Sequence, residues 1–109
     1  MNRTELIKLI GDVLTKLDVL RGSLMPTDPP RVELDKLRKQ LDKLQLKLSQ
    51  NQFDENTQVF VSATDQLKAI NTELKKTINK IEKVVTTIDT LKRLVTVVDD
   101  IVKIVLPFI

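Results

Sequence analysis

The feature that most constrains this chain is an unbroken register of apolar residues over its second half. From Phe60 to Val105, fourteen positions follow one another in alternating steps of three and four residues, and all but Thr77 are apolar. Such spacing places the side chains on one face of a helix and does not fit the strict alternation of a strand. The sequence therefore predicts an all-α protein.

Residues 56–106 contain neither glycine nor proline. We interpret them as one continuous helix of about 50 residues, roughly 75 Å long at the usual rise per residue. The alternative is a break near residues 76–80, which would give a four-helix bundle. We favour the continuous helix because the short loops of bundles usually carry turn residues.

The first half of the sequence predicts two shorter helices, over residues 2–21 and 29–49, joined by a proline-rich loop over residues 22–30. Each has an apolar stripe in steps of three and four residues: Leu6, Ile10, Val13, Leu17, Leu20 and Leu24 in the first, and Leu34, Leu37, Leu41, Leu44 and Leu48 in the second. Asn2 with Glu5 fits a capping pattern at the first helix, and Gly22 fits a left-handed stop. Asp28 followed by Pro29 fits the start of the second helix. A polar turn over residues 50–56 follows, with Asp54 or Thr57 as the next cap and Phe53 as a plug at the end of the core.

We expect a single domain, residues 1–109, in which the first two helices form an antiparallel hairpin on the first part of the long helix. This arrangement is a three-helix bundle or coiled coil. A helix of about 20 residues is roughly 30 Å long, so the hairpin covers less than half of a 75 Å helix. The uncovered part must bury its apolar face against another copy, a partner or lipid.

The C-terminal end of the chain is the most apolar part, with eleven apolar residues among residues 94–109. Asp99, Asp100 and Lys103 argue against a simple membrane span, and Asp99 with Lys103 forms a favourable helical pair. Such a helix is apolar around most of its circumference, and one neighbour does not cover it. We therefore predict an interface formed by Leu91, Val95, Val98, Ile101, Val102, Val105 and Phe108.

The composition excludes several classes of chemistry. The chain has no Cys, His, Trp or Tyr, so disulfides, thiol chemistry, His or Cys metal sites and Ser–His catalysis are ruled out. The sequence has no glycine-rich phosphate loop and no acid–base pair of carboxylates. We predict a non-enzymatic protein with no catalytic residues, no cofactor, no metal and no small-molecule substrate.

The net charge is only +3, and the basic side chains of residues 31–47 are interleaved with acidic ones. We interpret that stretch as a solvated helix face. A nucleic-acid accessory protein that uses residues 31–47 is the third and least favoured hypothesis. The sequence shows neither a signal peptide nor an apolar run of about 18 residues. A cytoplasmic protein is expected, and export without a cleavable signal stays open.

These observations predict a helical assembly protein, which is a homo-oligomer or binds a helical partner through its hydrophobic C-terminal helix. The alternative is a membrane-active or secretion-associated protein that releases the apolar C-terminal segment into lipid.

Overall fold

The computed structural model describes residues 1–50 and 55–103, and that part of the chain contains helices and turns but no strand. Its four α-helices are α1 (Arg3–Gly22), α2 (Pro29–Gln50), α3 (Gln58–Thr77) and α4 (Val84–Val102), and a short 3-10 turn, Ile81–Lys83, precedes α4. The all-α prediction is confirmed. The prediction of one continuous helix over residues 56–106 is wrong, because the helix is interrupted between Thr77 and Val84. The alternative break near residues 76–80 is the one that the structure has.

Helix α1 begins as its sequence predicts and ends differently. The Asn2 side chain accepts a hydrogen bond from the Glu5 amide at 2.8 Å. The expected left-handed stop at Gly22 is wrong: no residue of the described chain has a positive φ, and Ser23 caps the helix in a right-handed conformation. The Arg31 guanidinium donates to the Arg21 and Leu24 carbonyls at 2.8 and 3.1 Å. The Leu20 and Arg21 carbonyls also accept hydrogen bonds from the Ser23 and Leu24 amides, so the last turn closes in a right-handed conformation.

Helix α2 starts at Pro29, as predicted, since proline's missing N–H is not needed there. The Asp28 carboxylate has a different role from the expected cap: it accepts a hydrogen bond from the Met25 amide at 3.0 Å. That bond closes the loop between α1 and α2. At the start of α3, the Thr57 hydroxyl accepts from the Phe60 amide, so Thr57 is the cap. Phe53 and Asp54 lie outside the described residues.

Ordinary residues make the turn between α3 and α4. The Ile78 amide still bonds to the Leu74 carbonyl, and Lys80 then adopts an extended backbone with φ −117° and ψ 109°. No glycine is required, since L-residues adopt this conformation without strain. The turn allows α4 to fold back along α3. Each helix then buries the stripe that one continuous helix would have left exposed.

The helices form two antiparallel hairpins packed side by side. Close contacts join α1 to α2, α2 to α4, and α4 to α3. Ion pairs between Arg21 and Asp35 and between Asp18 and Arg38 fix α1 antiparallel to α2. Residue numbers rise together along the α2–α4 boundary, so these two helices are parallel. Both helix-connecting turns, residues 23–28 and 78–83, consequently lie at the same end of the bundle.

One aliphatic core runs through all four helices. Each helix contributes its predicted stripe, and the most deeply buried members are Leu6, Ile10, Leu17, Leu34, Leu41, Leu48, Leu67, Leu91, Leu94, Val98 and Ile101. Thr87 and Thr90 are the polar exceptions on α4, and both hydroxyls donate hydrogen bonds. Buried polar side chains of this kind cost little when they are paired.

Candidate interaction surfaces

The residues predicted as an interface divide into three groups. Leu91, Val98 and Ile101 are fully buried in the chain's own core. Val95 and Val102 are half-buried and pack against that core. Val105 and Phe108 lie outside the described residues and stay a prediction. The apolar face of α4 thus meets α2 and α3 of the same chain, since the fold-back supplies the neighbours that a continuous helix lacks.

The boundary between α1 and α2 is closed by a network of charges. Arg21 pairs with Asp18 at 2.8 Å and with Asp35 at 2.6 Å. Arg31 also pairs with Asp35, and Arg38 pairs with Asp18 at 2.9 Å. Hydrogen bonds from Arg38 lower the pKa of Asp18, and hydrogen bonds from Arg21 lower the pKa of Asp35. Both carboxylates are therefore held in the charged form, and the network ties α1 to α2 beside the first turn.

This network involves two of the basic residues that the sequence placed on a solvated face. The Arg31 and Arg38 guanidinium groups are committed to Asp35 and Asp18. Lys36, Lys39 and Lys43 are exposed along the rest of α2. On α4, the predicted pair between Asp99 and Lys103 forms at 3.0 Å, and the hydrogen bond from Lys103 to Asp99 raises the pKa of Lys103.

The side of the bundle between α1 and α3 is open. A groove of about 310 Å³ separates these helices. Apolar side chains line it on both walls: Met1, Leu9 and Val13 from the α1 side, and Leu74 and Ile78 from α3 with the turn that follows it. Charged and polar side chains share the lining: Glu5, Lys8, Asp12, Lys16, Asn71 and Lys75. Val13, Leu74 and Ile78 are only 2–3% exposed, so the accessible apolar surface of the groove belongs to the half-buried Met1 and Leu9. Charged and polar side chains surround these two residues, as at the edge of an interface.

The sequence carried a signal for this groove that we did not use. Leu9 lies off the main stripe of the first helix, which runs through Leu6, Ile10, Val13 and Leu17. An apolar residue beyond a complete stripe widens the apolar face toward a second neighbour. In the structure Leu9 lines the groove between α1 and α3.

Several large apolar side chains are exposed elsewhere. Five of them belong to the end of the bundle that holds both helix-connecting turns or to the adjoining helical residues, and they are Val19, Met25, Val32, Ile81 and Val85. Leu46, Val59 and Val61 are exposed on α2 and α3. Single exposed apolar residues are common on protein surfaces, so only their arrangement carries information.

Residues 1–50 and 55–103 include no helix with the length and apolar character needed to cross a bilayer. The same residues contain no cluster of three acidic side chains arranged to hold a metal ion. Every buried side-chain nitrogen or oxygen in this part of the chain has a hydrogen-bond partner.

Comparisons of the chain with protein-family models, curated proteins and solved structures found no match.

Proposed function

We propose that this protein is a non-enzymatic helical interaction module, which self-associates or binds a helical partner. The observation that carries this proposal is the open groove between α1 and α3. The other three pairs of neighbouring helices pack in direct contact, and α1 and α3 do not approach each other as closely. A partner helix lying in the groove would cover the half-buried Met1 and Leu9 and would lie beside the buried Val13 and Leu74, which is a mode of helix-in-groove recognition.

We locate the surface in the groove and not on the apolar face of α4. Leu91, Val98 and Ile101 are the centre of the interface that the sequence predicted, and all three are buried inside the chain. Binding through them would require α4 to leave α2 and α3, at the cost of a large buried apolar surface. Binding in the groove leaves the bundle intact.

A titration with a synthetic amphipathic helical peptide, with leucines in heptad spacing and mixed charges, tests the proposal. The probe is added to the ¹⁵N-labelled full chain, and amide chemical shifts are recorded. We expect the shifts to concentrate at Leu9, Val13, Leu74 and Ile78. Leu9→Glu should weaken binding at least tenfold. Val85→Glu, a charge on another exposed apolar position, should leave binding unchanged. Shifts concentrated elsewhere, or none at millimolar peptide, would contradict a helix-binding groove.

A membrane-active protein is the second candidate, and the composition of α4 favours it. Eight of the nineteen residues of α4 are buried, six of them aliphatic, and residues 78–83 form the turn that links α4 to α3 along the chain. Opening at that turn would present a broad apolar face to lipid. Flotation of the full chain with anionic phospholipid vesicles tests this candidate. Protein that stays at the bottom of the gradient at neutral and acidic pH would exclude it.

A further inference from the structure

The outer edge of α1 carries a stripe of residues that is complementary to itself. Its members recur in steps of three and four, which keeps them on one side of the helix. We call Met1, Glu5, Lys8, Asp12, Lys16 and Val19 the α1 stripe. The first five line the groove between α1 and α3, and Val19 continues the spacing with 69% of its surface exposed.

Asp12 and Lys16 lie four residues apart, a spacing that predicts a helical ion pair, but no charge of the α1 stripe forms an ion pair within residues 1–50 and 55–103. Asp18 and Arg21 form ion pairs on the side of α1 that faces α2. Glu5, Lys8 and Asp12 are exposed, and Lys16 is half-buried. Helix α1 thus carries charged residues on two sides. Those on the side facing α2 form ion pairs, and those on the side facing the groove do not. Unpaired, alternating charges beside an apolar groove are the usual edge of an interface.

The order of these charges specifies the partner. When two copies of α1 lie antiparallel, with a two-fold axis at the level of Ile10, Glu5 of one copy faces Lys16 of the other. Lys8 then faces Asp12, so all four charges of each copy meet an opposite charge. The same register brings Met1 opposite Val19, which pairs the two apolar ends of the stripe. A parallel arrangement would instead oppose Glu5 to Glu5 and Lys16 to Lys16, which is repulsive.

We propose that the groove binds a second copy of this chain, in a two-fold symmetric dimer that pairs the two α1 stripes in antiparallel orientation. This inference rests on the proposed function, because it names the occupant of the same groove. An interface of this kind is isologous, so each contact occurs twice. Leu9, near the centre of the stripe, lies close to the axis and supplies apolar contact between the two rows of charges.

Exchange of charges between two variants tests the pairing. Lys8→Glu with Lys16→Glu makes the stripe entirely acidic, and Glu5→Lys with Asp12→Lys makes it entirely basic. Light scattering after size exclusion, at low ionic strength, should give the wild-type chain twice the 12.5 kDa of one copy. Each variant alone should give the mass of one copy, and an equimolar mixture should restore the doubled mass. Salt at 1 M should weaken the wild-type dimer, because exposed charges are then screened beyond about 3 Å.

A matched control changes the same number of charges on another surface. Lys36→Glu with Lys39→Glu alters two exposed residues of α2 and should keep the doubled mass. Far-ultraviolet circular dichroism should show the same helicity for all variants. Three results would overturn the dimer: a wild-type chain that stays monomeric at 1 mM, acidic and basic variants that remain dimers, or a mixture that remains monomeric. A monomeric wild-type chain that still binds the amphipathic peptide at Leu9 would refute the dimer and leave the proposed function standing.

Discussion

The Thr87 hydroxyl donates a hydrogen bond to the Thr77 hydroxyl oxygen at 2.9 Å, and this bond joins the last residue of α3 to the first turn of α4. Thr87 is fully buried. Thr77 is also the polar residue that interrupts the apolar register of the sequence. Its place in that register is explained by a partner ten residues away, which it reaches only because the helix is broken between them.

Removal of this hydroxyl should destabilise the bundle. We expect Thr87→Val, which keeps the shape of the side chain, to lower the free energy of unfolding by about 1 kcal/mol, the usual net value of one hydrogen bond. Urea denaturation followed by circular dichroism measures the change. Thr86→Val is the matched control, because Thr86 is exposed, and its effect should stay within about 0.5 kcal/mol. Equal effects at the two positions would contradict a buried hydrogen bond at Thr87.

Two isoleucines of the turn between α3 and α4, three residues apart, differ in burial. Ile78 is 2% exposed and Ile81 is 47% exposed. We expect Ile78→Ala to lower the free energy of unfolding by about 2–5 kcal/mol, as for other buried isoleucines. Ile81→Ala should cost less than about 1 kcal/mol. In a continuous helix Ile81 would belong to the apolar stripe, so the opposite ranking in urea denaturation would contradict the turn.

Acid should weaken the network between α1 and α2. The pKa values of Asp18 and Asp35 are lowered in the folded chain by hydrogen bonds from Arg38 and Arg21. An unfolded aspartate has a pKa of about 3.9, so the stabilisation is complete above that pH and is lost as the pH falls through the folded pKa values. The free energy of unfolding should therefore decrease below about pH 4.

A double variant isolates this effect. Asp18→Asn with Asp35→Asn should be less stable than the wild-type chain at pH 7, and the difference should shrink toward pH 2. Asp89→Asn, at an exposed position that forms no ion pair within residues 1–50 and 55–103, should show a smaller change. A pH-independent difference between the double variant and the wild-type chain would refute the linkage.

Gly11 and Gln45 should be energetically coupled. Gln45 donates a side-chain hydrogen bond to the Ile7 carbonyl at 3.2 Å, and a Cβ at Gly11 would lie 3.3 Å from the same nitrogen. Alanine in a helix is favoured over glycine by about 1 kcal/mol. Gly11→Ala should realise that gain fully only when Gln45→Ala removes the crowding amide. Additive effects of the two substitutions in urea denaturation would contradict the coupling.

The sequence predicted the helices of the first half to within one or two residues, because local signals set them. Asn2 and Pro29 mark helix starts, and the stripes through Leu17 and Leu41 are buried as expected. The left-handed stop predicted at Gly22 is wrong because the last turn closes in a right-handed conformation on the Ser23 and Leu24 amides, and Arg31, ten residues after Arg21, adds a hydrogen bond from outside the helix. The residue pattern of one helix does not indicate a hydrogen-bond donor that belongs to another helix.

The break in the second half was harder to predict. The registers of α3 and α4 are in phase, and residues 78–83 include neither glycine nor proline. The turn forms from ordinary residues because folding back buries both stripes, which is a tertiary gain and not a local preference. The predicted interface depended on the predicted continuous helix. Leu91, Val98 and Ile101 were predicted to contact a partner because that helix left them uncovered, whereas in the structure α2 and α3 of the same chain cover them.

The distance between α3 and α4 tests the fold-back most directly. Gln66 and Thr96 are exposed and line one groove between these helices, and the chain has no cysteine to compete for labels. We would attach nitroxides to Gln66→Cys and Thr96→Cys and measure their separation by pulsed dipolar electron resonance, in samples diluted with unlabelled chain. Packed neighbouring helices predict a distance below about 25 Å, since their axes lie roughly 10 Å apart. A distance near 45 Å, the length of about 30 residues of continuous helix, would contradict the two-hairpin bundle.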